Sequence, residues 1–201
     1  MKLYLAAASP ACKKILAVLS LLDIKDVEMM HVDPREGTKS DDYLKLNANG
    51  KVPTLVDDDF AIWESNAIMQ YLAEKFAGHS LFPTDRRVRT NITRWQFWEA
   101  NHYNQAVYRI LWETMFKRAF GIDEDPNEER LASGTQDFHR YAKVLETELA
   151  STAYLVGDAL TLADLSVGLY TPFLAKEGSG VPVEDYPQLQ RWYAKLLPHF
   201  S

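Results

Sequence analysis

The chain has little of what marks an exported, nucleic-acid-binding or membrane-spanning protein. It contains one cysteine, Cys12, so it cannot form an internal disulfide bond, which agrees with a reducing compartment. Lys and Arg number 22 against 28 Asp and Glu, so we do not expect the cationic surface that binds nucleic acid or anionic lipid. The longest nearly apolar stretch, Ile15 to Leu22, is far shorter than the roughly 20 residues that span a bilayer. The first residues read as folded sequence and not as an export signal. We therefore predict a cytoplasmic protein without nucleic-acid or membrane partners.

What is present is an ordinary globular composition. Hydrophobic residues make up 47% of the 201 residues, and glycine and proline number only 9 each. This composition excludes collagen-like and disordered chains. At roughly 150 residues per domain, the length allows one large domain or two small ones.

The first 77 residues alternate between strand-like and helix-like segments. The predicted order is β-α-β-α-β-β-α, with strands at 2–5, 27–31, 54–56 and 60–63 and helices from about 11, near 41–46 and at 65–76. The triplet Asp57-Asp58-Asp59 predicts a hairpin turn, while the helices before it imply parallel crossovers. A mixed sheet covered by helices is expected.

The secondary-structure pattern changes from alternating strands and helices to helices alone after a short connector rich in Gly, Ser and Pro. Every later segment is helical, at about 87–119, 127–149, 162–175 and 187–197. We therefore predict three parts: an α/β domain over 1–77, a linker over 78–86 and an all-α domain over 87–201. Within the last part, Thr161 and Asp164 have the spacing of a capping box, and Leu160 and Leu165 that of its hydrophobic staple.

The first strand-to-helix turn carries the chemistry. Ser9 lies at or just before a helix N-terminus, where unpaired N–H groups and the helix dipole favour an anion. A hydroxyl there can donate to a thiolate and lower the thiol pKa, so Ser9 would act as an activator and not as a nucleophile. The alternative is that Ser9 only caps the helix. Cys12, one turn into the helix, is either a buried packing residue or a reactive thiol.

Two further segments complete a small-peptide site. If the bond before Pro53 is cis, the Val52 backbone turns outward as an unpaired edge that can bind an extended peptide. Ser65 begins another helix, so its hydroxyl and the following N–H groups can hold a carboxylate while Glu64 accepts an ammonium. Read alone, Ser65 is an ordinary N-cap. Read together, the three segments describe a site for a small thiol peptide.

Four segments in this order resemble the cytosolic glutathione transferases, and the match covers nearly the whole chain. They are Leu3 to Leu5 running through Ser9 to Ile15, Leu46 to Leu55, Trp63 to Ile68 with Tyr71-Leu72, and Leu155 to Leu165. The chain is most similar to the serine-type theta and phi classes. The resemblance implies a thioredoxin-like N-terminal domain, an all-helical C-terminal domain, a homodimer, and glutathione bound mainly by the first domain.

The resemblance also implies the roles of individual residues. Ser9 would hydrogen-bond the glutathione sulfur, and Val52, before a cis-Pro53, would pair with the cysteinyl backbone. Glu64 and Ser65 would hold the γ-glutamyl group. The glycine carboxylate would be approached by Lys39 and Lys51. Other classes of the family use a tyrosine as thiol activator near the end of the first strand, so Tyr4 is the alternative to Ser9.

The electrophile pocket is implied between the first turn and the long helix that opens the second domain. Aromatic residues at helical spacing are more often core than pocket. Tyr108 and Trp112, at i and i+4, are the best pocket pair, together with Ala7 and Ala8, whose small side chains leave space beside the sulfur. The five histidines show no metal-ligand spacing, so no metal is expected.

The implied function is a glutathione transferase that activates the glutathione thiol for attack on a hydrophobic electrophile, in detoxification. One alternative is other glutathione chemistry on the same fold, as in a peroxidase, dehalogenase or isomerase. Another is a non-catalytic member that binds ligands or proteins. For the homodimer, the acidic turn Asp57 to Phe60 could face the arginine-rich helix start Arg86 to Arg94 of a second copy.

Overall fold

The computed structural model describes residues 1–174 and 176–200, which form two compact units, Met1–Thr84 and Asp85–His199. The domain ranges and the linker predicted from the sequence stay predictions. Among the described residues, no helix is both long and apolar enough to cross a membrane.

The N-terminal unit has the predicted order of elements. Its strands and helices are β1 (Lys2–Leu5), α1 (Pro10–Leu21), β2 (Glu28–His31), a 3₁₀ turn (Gly37–Lys39), α2 (Asp41–Leu46), β3 (Thr54–Asp57), β4 (Phe60–Trp63) and α3 (Ser65–Lys75). Alternation along β1 buries Leu3 and Leu5 on one face and leaves Tyr4 on the other. Apolar side chains of α1 and α3, such as Ile15 and Ile68, are buried in the same unit, as are Leu55 of β3 and Ile62 of β4.

The four strands form one mixed sheet in the order β2-β1-β3-β4. β1 and β2 are parallel, as expected for a crossover through α1. The expectation of a second parallel crossover is wrong, because β3 pairs antiparallel with β1 and β4 antiparallel with β3. The segment that contains α2 links two strands that are not neighbours, so a helix between two strands did not by itself determine their relative direction.

The hairpin between β3 and β4 is present where the aspartates predict it. Asp58 adopts φ +53°, a left-handed conformation that Asp tolerates better than most residues. Asp57 is bound within the protomer by Tyr71 and Lys75 of α3. The hydrogen bonds from Lys75 and Tyr71 hold the pKa of the Asp57 carboxyl below its usual value. The charge of Asp57 therefore fastens the hairpin to α3.

The second unit is helical, as predicted. It begins with one long run of helix in which two π turns interrupt the α-helical hydrogen bonding. The run comprises α4 (Arg86–Trp98), a π turn (Glu99–Tyr103), α5 (Asn104–Leu111), a second π turn (Trp112–Phe116) and α6 (Lys117–Ala119). Each π turn contains a buried carboxylate: Glu99 accepts from Ser166, and Glu113 accepts from Lys117 and from the Asn127 backbone N–H.

The remaining helices follow the sequence closely except in one place. They are α7 (Glu128–Leu149), α8 (Leu162–Val167), α9 (Thr171–Leu174), a 3₁₀ turn (Val183–Asp185), α10 (Pro187–Leu196) and a last 3₁₀ turn (Leu197–Phe200). The helix predicted over 162–175 is wrong as a single helix, because it breaks between α8 and α9; its predicted end, Ala175, lies outside the described residues. A Cβ added at Gly168 would lie 2.4 Å from Leu196, so the close packing of α10 occupies the break.

The predicted capping box at the start of α8 is confirmed. Thr161 Oγ1 accepts from the Ala163 N–H, and Asp164 Oδ2 accepts from the Thr161 N–H at 2.9 Å. Asp164 Oδ1 also accepts from the Leu155 N–H and from Trp192 Nε1, both at 2.9 Å. This one buried carboxylate therefore joins the segment before α8 to α10.

Candidate active site

The sheet brings the three predicted site segments to one edge. Tyr4 pairs with Thr54, and Thr54 pairs with Trp63, so β1 ends, β3 begins and β4 ends side by side. The turn after β1 contains Ser9, the loop before β3 contains Val52, and Glu64 follows β4. Strand register alone therefore brings Ser9 together with segments that lie about 40 to 55 residues further along the chain.

Ser9 is the N-cap of α1, with Pro10 in the first turn. Its Oγ accepts from the Cys12 backbone N–H at 3.4 Å. A hydroxyl that accepts a hydrogen bond keeps its own proton for donation. Capping and thiol activation are therefore compatible, and the two readings of Ser9 do not exclude each other.

Cys12 and Tyr4, the two other thiol or hydroxyl groups near this turn, differ from Ser9 in their surroundings. Cys12 is fully buried. Burial raises the pKa of the Cys12 thiol, although hydrogen bonds with the Ser9 side chain and the Ala6 backbone oppose the rise. The structure therefore favours packing over reactivity for Cys12. The ring of Tyr4 packs edge-on against Tyr43 of α2, with 5.7 Å between centroids.

The bond between Val52 and Pro53 is cis, as hypothesised. The Val52 backbone makes no hydrogen bond with the part of the chain that the structure describes. The preceding Lys51 carbonyl, in contrast, faces inward and accepts from Tyr43 Oη and Asn47 Nδ2. The backbone at Val52 is thus available to an extended ligand.

Glu64 and Ser65 stand at the start of α3. Glu64 has φ +71° and ψ 112°, a strained conformation for a residue with a Cβ, and its side chain does not cap the helix. Within residues 1–174 and 176–200, neither side chain has a hydrogen-bond partner, although Ser65 is mostly buried. The backbone cost and the two available polar groups are features expected of a ligand site.

The two lysines expected at the glycine end differ in their contacts. Lys39 Nζ donates to the Gly50 carbonyl at 3.1 Å, so it lies beside the loop that leads to Val52. Lys51 is exposed and follows Gly50 directly. Gly50 has φ +58°, and a Cβ there would lie 2.9 Å from Lys39 Nζ, which explains why glycine is needed.

Sequence reasoning missed the side chains that hold these segments. Asn47 and Tyr43 bind the Lys51 carbonyl, and Lys14 Nζ, mostly buried, donates to Asn66 Oδ1 at 3.0 Å and so links α1 to α3. The position of Asn47, after a helix and before the Val52 loop, could have indicated a side chain that holds this loop. A lysine on an amphipathic helix gave no such signal.

In the helical unit, Tyr108 and Trp112, the pair predicted for the pocket, are in contact with each other. The rings of Tyr108 and Trp112 lie 5.8 Å apart, and Trp112 also contacts Phe120 at 5.8 Å. Tyr108 is partly exposed, and partial burial raises its pKa. Other aromatics of the long helix, such as Trp95 and Tyr103, are buried core residues. This agrees with the general expectation that aromatics at helical spacing are more often core than pocket. Ala7 and Ala8 are exposed in the turn before Ser9.

The described residues contain no group of three or more His, Cys, Asp or Glu side chains arranged to hold a metal ion. The polar groups of the candidate site are a hydroxyl at a helix start, an unpaired backbone edge, an acid with a second hydroxyl, and two lysines. Together they can bind a short peptide with charged ends and stabilise an anion at Ser9.

Comparison with known proteins agrees with this description. Residues 3–80 match the family model for the glutathione S-transferase N-terminal domain, and residues 105–198 match that for the C-terminal domain. The chain therefore has both halves of one enzyme family, in order.

Individual relatives agree with the family models. Glutathione S-transferase F13 of Arabidopsis thaliana is 32% identical over 77% of this chain and 71% of its own length. The crystal structure of glutathione transferase F7 from Populus trichocarpa has a TM-score of 0.89 and 29% identity, covering 99% of this chain and 95% of that one. A theta-class enzyme from Xanthomonas axonopodis pv. citri, solved with glutathione bound, has a TM-score of 0.85 and 25% identity, covering 99% and 94%. The protein belongs to the glutathione S-transferase family.

Proposed function

We propose that this glutathione transferase ionises the thiol of glutathione at Ser9 and directs the thiolate at a carbon electrophile. The observation that carries the proposal is the hydrogen bonding of Ser9: its oxygen accepts from the Cys12 N–H, and a hydroxyl that accepts in this way can still donate its proton to a sulfur anion. A hydrogen bond to the charged form of a thiol lowers its pKa from the usual value near 8.5. The N-terminus of α1 adds to this stabilisation.

The chemical step uses the two substrates and water as the proton acceptor. The thiol loses its proton to water, and the sulfur then donates an electron pair to form the carbon–sulfur bond. In a substitution the leaving group departs with its bonding electrons, and in an addition the product carbon or oxygen takes up a proton. The protein contributes binding, orientation and a lower thiol pKa.

The remaining site residues bind glutathione in an extended form. The Val52 backbone pairs with the cysteinyl residue beside Pro53, and Glu64 and Ser65 hold the γ-glutamyl ammonium and carboxylate. Lys39 and Lys51 attract the glycine carboxylate. The support for this placement is the shared sheet edge and the available polar groups of each segment.

Glu64→Ala should weaken glutathione binding by about 1.5–3 kcal/mol, because the ligand ammonium loses a charged partner. Asp23→Ala is the matched control, since Asp23 is also an exposed acid with positive φ in the same unit but lies at the far end of α1. Calorimetric titration with glutathione measures both. Equal affinities for the two variants would remove Glu64 from the site.

The proposal of an electrophile-binding surface is supported by residues of each unit, taken by itself. Ala7 and Ala8 are exposed beside Ser9, and Tyr108 with Trp112 presents a partly exposed aromatic surface. Such residues suit an apolar substrate, which is consistent with a cytoplasmic role in detoxification. Turnover of an electrophile panel, compared with peroxide reduction, separates conjugation from the other glutathione chemistries, and failure to bind glutathione would favour a non-catalytic protein.

The expected homodimer needs one revision. Asp57 was expected to face the arginines of a second copy, but its charge is already bound by Lys75 and Tyr71. Asp58 and Asp59 remain exposed for that role. The apolar contribution comes from Phe60 beside them, which is 54% exposed in the protomer, and from Phe97 on α4, which is 67% exposed. Polar contacts set orientation, and these rings add burial.

A dimer of about 46 kDa, twice the 23.0 kDa chain, is therefore expected at micromolar concentration and in moderately high salt. Sedimentation measures it. Phe97→Ser should shift the equilibrium towards the protomer, whereas Phe76→Ser, at another exposed aromatic, should not. A wild-type species of 23 kDa would contradict the dimer.

A further inference from the structure

The loop that presents Val52 is held by a closed ring of hydrogen bonds from three buried side chains. Tyr43 Oη lies 2.6 Å from the Lys51 carbonyl oxygen and 2.9 Å from Thr54 Oγ1. Asn47 Nδ2 lies 2.9 Å from the same carbonyl and 3.0 Å from the same Thr54 oxygen. Tyr43, Asn47 and Thr54 are only 4%, 2% and 0% exposed. Three side chains from α2, the loop and β3 thus enclose one carbonyl.

A single placement of the protons satisfies the whole ring. The Asn47 amide has two N–H protons, one for the carbonyl and one for Thr54, while its Oδ1 accepts from the Asn49 backbone N–H. The carbonyl cannot donate, so the one hydroxyl proton of Tyr43 goes to it. Thr54 must then donate its proton to Tyr43. Burial raises the pKa of Tyr43, which keeps this proton in place at neutral pH.

The ring also determines where the next N–H points. In a trans peptide the C=O and the N–H point in opposite directions, and the Lys51–Val52 bond is trans. Because the Lys51 carbonyl faces Tyr43 and Asn47, the Val52 N–H faces away from them, where no described residue accepts from it. Pro53 has no N–H, so this is the donor that the loop can offer a ligand.

We infer that Tyr43, through its hydroxyl, is a positioning residue for glutathione: it holds the Lys51 carbonyl so that the Val52 N–H meets the cysteinyl carbonyl of the bound peptide. The inference rests on the proposed function, because it needs glutathione at this edge of the sheet. Tyr43 does not touch the ligand and acts only through the peptide plane. Thr54 completes the ring and shares the role.

Tyr43→Phe removes the one hydroxyl and keeps the ring that packs on Tyr4. The dissociation constant and the KM for glutathione should rise about 5- to 20-fold, the loss expected for one hydrogen bond in a pre-organised network. The kcat at saturating glutathione should stay within about twofold. Thr54→Val should act in the same way, and Thr54→Ser should restore wild-type binding. Tyr71→Phe, which removes another tyrosine hydrogen bond of the same unit, one that is partly buried, is the control and should leave glutathione binding unchanged.

Amide hydrogen exchange at Val52, measured by NMR, separates this inference from the proposed function. In the wild type, glutathione should slow exchange of the Val52 amide, and in Tyr43→Phe the slowing should be smaller at equal site occupancy. If glutathione does not slow the wild-type amide, the proposed placement of glutathione is wrong. If it does, but Tyr43→Phe binds glutathione as tightly as Tyr71→Phe, the role of Tyr43 is overturned and the placement stands. Thermal unfolding of each variant checks that the fold is kept.

Discussion

Ser9→Ala should lower turnover about 10- to 1,000-fold while leaving glutathione affinity largely unchanged. A hydrogen bond to a charged group is worth about 1.5–3 kcal/mol, and each 1.4 kcal/mol is a factor of ten in rate. In the proposed complex the lost donor serves the ionised sulfur, so binding through Val52, Glu64 and the lysines should persist. The thiolate absorbance of bound glutathione, followed through neutral pH, measures the thiol pKa directly, and that pKa should rise in the variant.

Two comparisons make this result specific. Ser40→Ala removes another serine N-cap in the same unit, where Ser40 Oγ accepts from the Tyr43 N–H at 3.3 Å. It should cost stability, typically about 1 kcal/mol, without moving the thiol titration. Tyr4→Phe should likewise leave the titration in place. A titration that moves with Tyr4→Phe and not with Ser9→Ala would transfer the role of thiol activator to Tyr4.

Asp164→Ala should lower the free energy of unfolding by about 3–5 kcal/mol. The substitution leaves the N–H groups of Leu155, Thr161 and Trp192 without their acceptor in a buried position, and each such group costs about 1–3 kcal/mol before relaxation. Protein stabilities are only about 5–15 kcal/mol in total. For a chain of this size the midpoint of thermal unfolding should therefore fall by roughly 6–20 °C.

Asp158→Ala is the control for this prediction, because Asp158 is exposed in the same segment and should change stability by less than about 0.5 kcal/mol. Asp164→Asn keeps the shape and one acceptor oxygen, so it should lie between the two and remains measurable if the alanine variant does not fold. Thermal midpoints of the Asn and Ala variants within 2 °C or so of the wild type would show that the carboxylate does not tie these segments together.

The sequence contained enough information for the order of elements and for several local contacts. The caps at Ser9 and Thr161, the hairpin at Asp58 and the aromatic pair at Trp112 depend on neighbouring residues, so their patterns are legible in a single chain. The direction of β3 is different. It depends on pairing with β1, about fifty residues away, and no local pattern records that choice.

The same distinction divides the candidate site. The residues proposed to face the ligand came from the sequence and stay predictions, whereas the contacts that support them were not predicted. The hydrogen bonds from Tyr43 and Asn47 to one carbonyl become visible only when α2 and β3 are placed together. The strained φ of Glu64 is likewise a property of the folded backbone, because Glu has no intrinsic preference for that conformation.

The second π turn in the long helix gives the aromatic surface an unusual sensitivity to chain length. Trp112 and Phe120 are eight residues apart, which in an uninterrupted α-helix would place them about 80° apart around the axis. The extra residue of the π turn at Trp112–Phe116 makes these eight residues act as about seven, which reduces the angle to roughly 20° and lets the two rings meet. Loss of one residue from this turn would rotate Phe120 away from Trp112 without altering either side chain. A deletion or insertion of one residue here would therefore reshape the aromatic surface that we propose for the electrophile.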